Sequence, residues 1–227
     1  MGEHPLDRPA WHALTSLQAM HAVGNEAAVR FHPQIGPIAA ARSHDGAGLA
    51  ALAALVPDDG LLATIEARPH ALPPGMVAEK IADLVQLTVC GPVALVEHPL
   101  IVPLGPADAP EMLALATLTE PGPFALRTHE LGPFWGIRID GRLAAMAGER
   151  MRLPGYGEVS AVCVHPDFRG QGLGEIVARR AMARVASAGL TPFLHAYADN
   201  DAALGLYRKL GFAVRHVMTV MMFRRAE

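Results

Sequence analysis

The sequence has few charged residues, few cysteines and no long apolar run, and each shortage excludes a class of protein. Charged residues make up 18% of the 227 residues and hydrophobic residues 51%, which argues against intrinsic disorder. The net charge of −3 gives no general attraction to nucleic acid or to an acidic membrane. No uninterrupted apolar run reaches the roughly 18 to 20 residues that a membrane-spanning helix needs.

The cysteine content indicates a reducing compartment. Cys90 and Cys163 both lie in apolar runs that are typical of strands, so we expect two buried thiols rather than a disulfide. The first five residues do not resemble a signal sequence, and we expect a cytoplasmic protein. The 11 histidines show no metal-ligand spacing, so no metal is expected.

The N-terminal part of the chain gives modest signals for helices and strands and contains no catalytic motif. The turn residues 57–60, Pro-Asp-Asp-Gly, separate a predicted helix from a predicted strand. Residues 77–90 are ambiguous between helix and strand, with strand favoured at their end. The predicted elements are helices at Trp11–Met20 and Gly46–Val56 and a strand at Leu61–Glu66.

Clearer elements follow from residue 100 onward. Asp140-Gly141 is a strong hairpin signal, and Asp108 is the predicted N-cap of a helix. Strands first follow one another and then alternate with helices, which predicts a mixed sheet with helices packed on it. The predicted strands are 100–104, 134–140, 142–150, 158–164, 192–197 and 212–223, and the predicted helices are 108–118, 172–188 and 200–210.

A glycine-dense loop, Arg169-Gly170-Gln171-Gly172-Leu173-Gly174, connects a predicted strand to a predicted helix. Alternate glycines allow the backbone to approach a ligand and to point several N–H groups into one concavity. The N-terminus of the following helix adds free amides and the positive end of its dipole. The loop therefore predicts a pyrophosphate site, although a strand-to-helix connection without a ligand is also compatible with the glycines.

Two common nucleotide motifs do not fit this loop. A dinucleotide site requires G-x-G-x-x-G, whereas the spacing here is G-x-G-x-G. A P-loop requires Lys-Ser/Thr after its last glycine, whereas Glu175 follows Gly174.

The loop and its flanking residues resemble the GNAT superfamily of N-acetyltransferases. Arg169, Gly172 and Gly174 match the Arg/Gln-x-x-Gly-x-Gly/Ala pattern of that family, and residues 198–212 resemble its C-terminal motif. The resemblance covers the chain from about Leu100 onward. It implies an α/β (α+β) fold with a mixed, mostly antiparallel sheet flanked by helices over residues 96–227. Residues 1–95 are predicted to form a smaller α/β domain, either a degenerate copy of the same fold or a dimerisation element.

The resemblance also implies an acetyl-CoA site. Backbone groups of Val162, Cys163 and Val164 are expected to orient the pantetheine arm. Asn200 is expected either to contact the pantetheine or to cap the following helix. The residues expected to bind the pyrophosphate, with the first residue of the helix proper, are Arg169, Gly170, Gln171, Gly172, Leu173, Gly174 and Glu175.

The resemblance implies a general acid and a general base for amine acetylation. Tyr207 matches the residue that protonates the departing thiolate, although it could instead pack against the sheet. Glu158 and Glu149 are candidates for the carboxylate that accepts the proton of the amine, and a base there should have a raised pKa. Nothing near Cys163 in the sequence indicates a reactive thiol, which disfavours an acetyl-cysteine intermediate.

The expected function is acetyl transfer from acetyl-CoA to a primary amine by direct attack, with both substrates bound. The alternative is an acyl-CoA-binding sensor or scaffold without turnover. We expect no nucleic-acid or membrane partner, and a homodimer is compatible with the sequence. The acceptor is not identified by the sequence, and residues 120–132 and 151–157 are expected to line its site.

Overall fold

The computed structural model describes residues 4–89, 91–94 and 97–226. Its elements form one large sheet, one small sheet and five α-helices within these ranges. The strands are β1 (Ala22–Gly24), β2 (Ala28–Phe31), β3 (Ala39–Ala41), β4 (Leu61–Glu66), β5 (Met76–Val89), β6 (Ile101–Leu104), β7 (Phe134–Ile139), β8 (Arg142–Leu153), β9 (Tyr156–Val164), β10 (Thr191–Tyr197) and β11 (Phe212–Arg225). The helices are α1 (Pro9–Leu14), α2 (Gly46–Ala54), α3 (Ala109–Thr119), α4 (Leu173–Ser187) and α5 (Asp201–Lys209).

The large sheet has eight strands in the order β4-β11-β5-β10-β9-β8-β7-β6, and β1, β2 and β3 form the small sheet. Every neighbouring pair in the large sheet is antiparallel except β9 and β10, which are parallel. The predicted mixed, mostly antiparallel sheet with helices packed on it is confirmed. The single parallel pair matters for function because it lies in the middle of the sheet.

Most predicted elements occur within one to three residues of their expected bounds, and the differences have local causes. The ambiguous residues 77–90 form a strand up to Val89, whereas Cys90 lies outside the described residues. The predicted helix at Trp11–Met20 is wrong in length, since α1 ends at Leu14. The hydroxyls of Thr15 and Ser16 donate to the carbonyls of Trp11 and His12, and such side-chain bonds compete with further helix.

The predicted hairpin at Asp140-Gly141 is confirmed. Both residues have positive φ, 49° and 77°, as a two-residue type I′ turn requires. Beyond this turn β8 continues to Leu153, three residues past the predicted end, because it also forms a hairpin with β9. The long β8 therefore carries Glu149, Arg150 and Arg152 alongside β9.

Apolar residues cover both faces of the large sheet. On one face, α4 and α5 pack residues such as Val177, Ala181 and Leu204 against the strands. On the other face, Leu6 and Leu14 from the N-terminal segment share a core with Phe193 of β10 and with β8 and β11. Within the described ranges, no helix combines the length and the apolar character that crossing a bilayer requires.

The division into residues 1–95 and 96–227 stays a prediction. Residues 95 and 96 lie outside the described residues. The large sheet includes strands from both sides of this boundary, because β5 pairs with β10 and β11, and β4 pairs with β11. Residues from both parts are therefore positioned by the same sheet.

Candidate active site

The two parallel strands separate after a short paired stretch. Pairing between β9 and β10 ends at Phe193 and Glu158, although β9 continues to Val164 and β10 to Tyr197. A bulge lies in this unpaired part of β9, where Ala161 and Val162 together oppose one residue of β8. Ala161 has a φ of 52°, and such bulges bend a strand. The result is a gap in the sheet between β9 and β10.

The glycine loop presents free backbone amides at the N-terminus of α4. Gly170 and Gly172 have φ values of 78° and 75°, and a Cβ on either would meet no atom within 4 Å. Within the described ranges, the amides of residues 170–174 donate to no protein acceptor. The amides of Arg169 and Glu175 are engaged, since they donate to the carbonyls of Pro166 and Gly172. Five of the seven predicted residues therefore offer a free amide to an anion.

Gly174 and Glu175 also make contacts within the protein. Gly174 packs tightly, because a Cβ there would lie 3.3 Å from the side chain of Val164. The Glu175 carboxylate accepts hydrogen bonds from Lys209 at 2.6 Å and Arg179 at 3.0 Å, and these lower its pKa. Arg179 therefore forms an i, i+4 ion pair with Glu175 along α4. Because both cations neutralise Glu175, its charge does not dominate the anion site.

A cavity of about 770 Å³, counted to its open mouth, lies at the gap between β9 and β10. Val162, Asn200 and Tyr207 line it, as do Ile38 and Ile65 from the N-terminal part of the chain. The predicted loop 120–132 contributes its first four residues, 120–123. The second predicted segment, 151–157, is fully described and contributes none, so that expectation is wrong for this cavity. Residues from both halves of the chain thus enclose one space.

Tyr207 lies on α5 with its ring buried and 9% of the residue exposed. Its ring packs against Phe212, and its hydroxyl has no hydrogen-bond partner in the described part of the chain. Burial, together with the nearby Cys163 and Glu158, raises the pKa of Tyr207 to about 12. The phenol is therefore protonated at neutral pH and free to donate a hydrogen bond to a group in the cavity.

Asn200 caps α5 and also lines the cavity. Its side-chain oxygen accepts a hydrogen bond from the Ala203 amide at 3.0 Å, which confirms the predicted capping role. The expected contact with pantetheine stays a prediction, and the cap fixes the side chain at the wall where such a contact would be made.

Glu158 is fully buried and held by two partners. Arg150 donates two hydrogen bonds to it, at 2.8 and 2.6 Å, and His195 contacts its Oε1 through Nδ1 at 2.8 Å. Burial alone would raise the pKa of Glu158, but Arg150 and His195 outweigh it and lower the pKa to about 2. The expectation of a raised pKa is wrong for Glu158, because a bidentate guanidinium faces the carboxylate.

A polar chain continues from Glu158 across the sheet. His195 Nε2 lies 3.0 Å from the side-chain nitrogen of Gln86, whose oxygen accepts from Arg215 at 2.7 Å. Both ring nitrogens of His195 therefore contact protein side chains, while the residue also lines the cavity. The sequence analysis missed Arg150 and Gln86. The hairpin turn at Pro154-Gly155 was the available signal, since it brings Arg150 next to Glu158.

Glu149 is buried on β8, and its Oε2 accepts from Arg152. Its Oε1 has no partner in the described part of the chain. The side chain packs against Gly132, because a Cβ added to Gly132 would lie 2.8 Å from the Cβ of Glu149. Like Glu158, it does not line the cavity described above. Neither predicted base therefore lines this cavity.

The structural and sequence comparisons agree on one family. A GNAT-family protein from Novosphingobium aromaticivorans has a crystal structure that matches 99% of this chain and 100% of its own, with 44% identity and a TM-score of 0.93. The chain belongs to the GNAT family. The family model described as FR47-like protein matches residues 135–221, which include the glycine loop and Tyr207.

Other relatives match this GNAT chain more narrowly. The mycothiol acetyltransferase of Mycobacteroides abscessus is 45% identical over 27% of this chain and 21% of its own length. That of Nocardiopsis dassonvillei is 43% identical over 37% of this chain and 28% of its own. The chain thus spans less than a third of these curated relatives. A GCN5-related N-acetyltransferase from Kribbella flavida shares the fold, with a TM-score of 0.60 over 94% of the chain at 19% identity.

Family membership makes this GNAT chain an acyltransferase enzyme, as predicted. The sensor or scaffold alternative is therefore set aside. Cys163 is buried, and burial raises the pKa of its thiol to about 11, so the thiolate is scarce at neutral pH. This agrees with the expectation that no acetyl-cysteine forms.

We expect Glu158→Gln to lower the free energy of unfolding at pH 7 by about 3 to 5 kcal/mol, because it leaves Arg150 buried without its counter-charge. The folded-state pKa of Glu158 is about 2, below the ordinary value of 4.5. Its contribution to stability is thus full above pH 4.5 and is lost as the pH falls toward 2. The difference between the two proteins, measured by urea unfolding, should shrink from pH 7 to pH 3.

Glu175→Gln is the matched control, since its ion pairs lie near the surface and should be worth about 1 kcal/mol or less. An equal loss of stability in both variants, or a difference for Glu158→Gln that does not change with pH, would contradict the assignment of Glu158 as a buried counter-ion.

Proposed function

We propose that the enzyme transfers the acetyl group of acetyl-CoA directly to a primary amine while both substrates are bound. The observation that carries the proposal is the gap between β9 and β10, which has free loop amides on one side and the Tyr207 cavity on the other. An anionic cofactor held at the loop and threaded into the gap would bring its reactive end to the cavity.

Two groups of residues are suited to hold acetyl-CoA. The amides of residues 170–174 would bind the pyrophosphate, aided by the dipole of α4. Backbone groups of Val162 to Val164, on the unpaired part of β9, would hydrogen-bond the pantetheine amides, and Asn200 lies at the same cavity wall. Bound acetyl-CoA supplies the acetyl group, which passes to the amine nitrogen as its C–S bond breaks.

Tyr207 is proposed as the proton donor to the departing sulfur. With a pKa of about 12 the phenol holds its proton until negative charge develops next to it. Because its hydroxyl has no partner in the described part of the chain, it is available to the sulfur. An acceptor that binds as an ammonium ion loses two protons: one passes to a carboxylate before the attack, and the other leaves the nitrogen as the amide forms and replaces the proton that the phenol gave up.

Glu120 is proposed as the carboxylate that receives the proton of the amine, in place of Glu158 and Glu149. It is the acidic residue that lines the cavity, and it makes no ion pair in the described part of the chain. It ends α3 in the left-handed conformation, with φ 49° and ψ 51°, and its amide donates to Ala116. A side chain at this strained position is an indication of function, since glycine or asparagine would fit the backbone better.

The remaining expectations are retained as part of this proposal. The enzyme is placed in the cytoplasm, with acetyl-CoA and an amine as its partners and without a nucleic-acid or membrane partner. The mycothiol acetyltransferases match only part of this chain and less than a third of their own length, so the acceptor in their name is not carried over. A homodimer remains a prediction.

We predict that Gly172→Ala weakens acetyl-CoA binding about tenfold or more, because a methyl group would enter the anion concavity. Gly189→Ala is the control, since Gly189 has nearly the same φ, 74°, and equally open surroundings but lies at the other end of α4. Each substitution carries similar backbone strain of about 1 to 2 kcal/mol. Calorimetric titration with acetyl-CoA should show weaker binding by Gly172→Ala than by Gly189→Ala. Binding of ATP without binding of acetyl-CoA would overturn the proposal.

Tyr207→Phe should lower kcat for amine acetylation about 100-fold or more and leave the Kd of acetyl-CoA unchanged, because only the proton donor is lost. Tyr156→Phe is the control, since that hydroxyl contacts His4 and lies outside the cavity. Thiol release with a panel of amines measures both. Full activity of Tyr207→Phe would remove Tyr207 from the mechanism.

Glu120→Gln should lower kcat/KM for amines about 10- to 100-fold at neutral pH, because the ammonium form of the acceptor loses its proton acceptor. The loss should diminish at high pH, where more of the acceptor is already neutral. Glu130→Gln is the control in the same loop, since Glu130 pairs with Arg127 and lies outside the cavity. A loss that is the same at all pH values would assign Glu120 to packing instead.

A further inference from the structure

Arg30 is a buried arginine without a carboxylate partner. It is 6% exposed, and its Nε and Nη1 donate to the carbonyls of Phe31 and Leu55, each at 3.1 Å. Among the described residues no acidic side chain pairs with it, whereas the less buried Arg8 and Arg150 contact Glu66 and Glu158. Leaving a buried charge unpaired is costly. A fold therefore retains a buried, unpaired charge mainly where a ligand of opposite charge binds to it.

The Nη2 side of the Arg30 guanidinium faces an open cleft. Its Nη2 has no protein partner in the described part of the chain and is not sealed from solvent. The cleft is also lined by Lys80, whose ammonium lies 4.0 Å from the centre of the Tyr197 ring. Two cations from separate strands, β2 and β5, therefore border the same space. Asp59 borders it as well but makes no ion pair with either cation.

This cleft leads into the Tyr207 cavity. Five residues line both spaces and therefore form a common wall: Glu120, Gly122, Pro123, Tyr197 and Met222. A molecule lying across that wall would place one end near Arg30 and Lys80 and the other near Glu120 and Tyr207. One end would meet the cations Arg30 and Lys80, and the other would meet Glu120, which lines the cleft as well as the cavity.

We infer that Arg30 and Lys80 form a subsite for an anionic group of the acceptor, so that the preferred acceptor is an amine carrying a remote carboxylate or phosphate. The inference rests on the proposed function and deepens it by naming the class of acceptor. Hydrogen bonds from a guanidinium to an anion are strong enough to favour the charged acceptor about 10- to 100-fold over a neutral one of the same shape.

The test compares acceptors with and without an anionic group. One pair is 6-aminohexanoate and 6-aminohexanamide, and a second is 4-aminobutyl phosphate and 4-aminobutanol. Shorter and longer homologues of each pair show which distance between the amine and the anionic group is preferred. The expected result is a 10- to 100-fold higher kcat/KM for the anionic member, carried mainly by KM. The pair with the larger preference identifies carboxylate or phosphate as the preferred anion.

Three variants test which residues cause the preference for anionic over neutral acceptors. Arg30→Gln should bring the ratio of anionic to neutral acceptor close to one, and Lys80→Met, at an exposed position, should reduce it in part even if Arg30→Gln fails to fold. Arg127→Gln is the control, since Arg127 is exposed and lies outside the cleft. Equal rates for anionic and neutral amines in the wild type would overturn the subsite and leave the proposed function standing. The absence of acetylation of any amine would instead overturn the proposed function.

Discussion

The buried ion pair between Arg150 and Glu158, extended by His195, is the constraint on which the site depends. It joins β8, β9 and β10 at the pair of residues where β9 and β10 stop hydrogen-bonding to each other. A gap in the middle of a sheet exposes unpaired strand edges, and neighbouring strands would otherwise tend to close it. Side-chain bonds across the last paired position hold the three strands in register while the gap remains open.

The sequence predicted the parts of the fold that depend on local chemistry. The Asp140-Gly141 hairpin, the glycine loop and the Asn200 cap follow from backbone preferences of a few adjacent residues, and the structure has all three. The raised pKa expected of Glu158 is wrong for a different reason. Whether a glutamate is a base or a counter-ion depends on what faces it, and Arg150 lies on another strand.

The acceptor side of the site was the least predictable, because it is assembled from distant segments. Glu120 belongs to a loop that the sequence predicted to line the acceptor site, but its position in the wall of the Tyr207 cavity depends on how α3 packs on the sheet. Arg30 and Lys80 lie in a region without any motif, and neither β2 nor β5 shows a catalytic pattern. Only the continuous sheet, which takes strands from both halves of the chain, brings them near the cavity.

The residues on the two sides of the wall shared by the cavity and the cleft belong to different parts of the chain, which can change separately in evolution. The segment that matches the family model, residues 135–221, contains the glycine loop and Tyr207 but none of Arg30, Lys80 or Glu120. Sequence drift in the N-terminal part could therefore exchange one class of amine for another while cofactor use stayed fixed. Relatives that share only the matched segment would have the same chemistry in common and could differ in every acceptor they use.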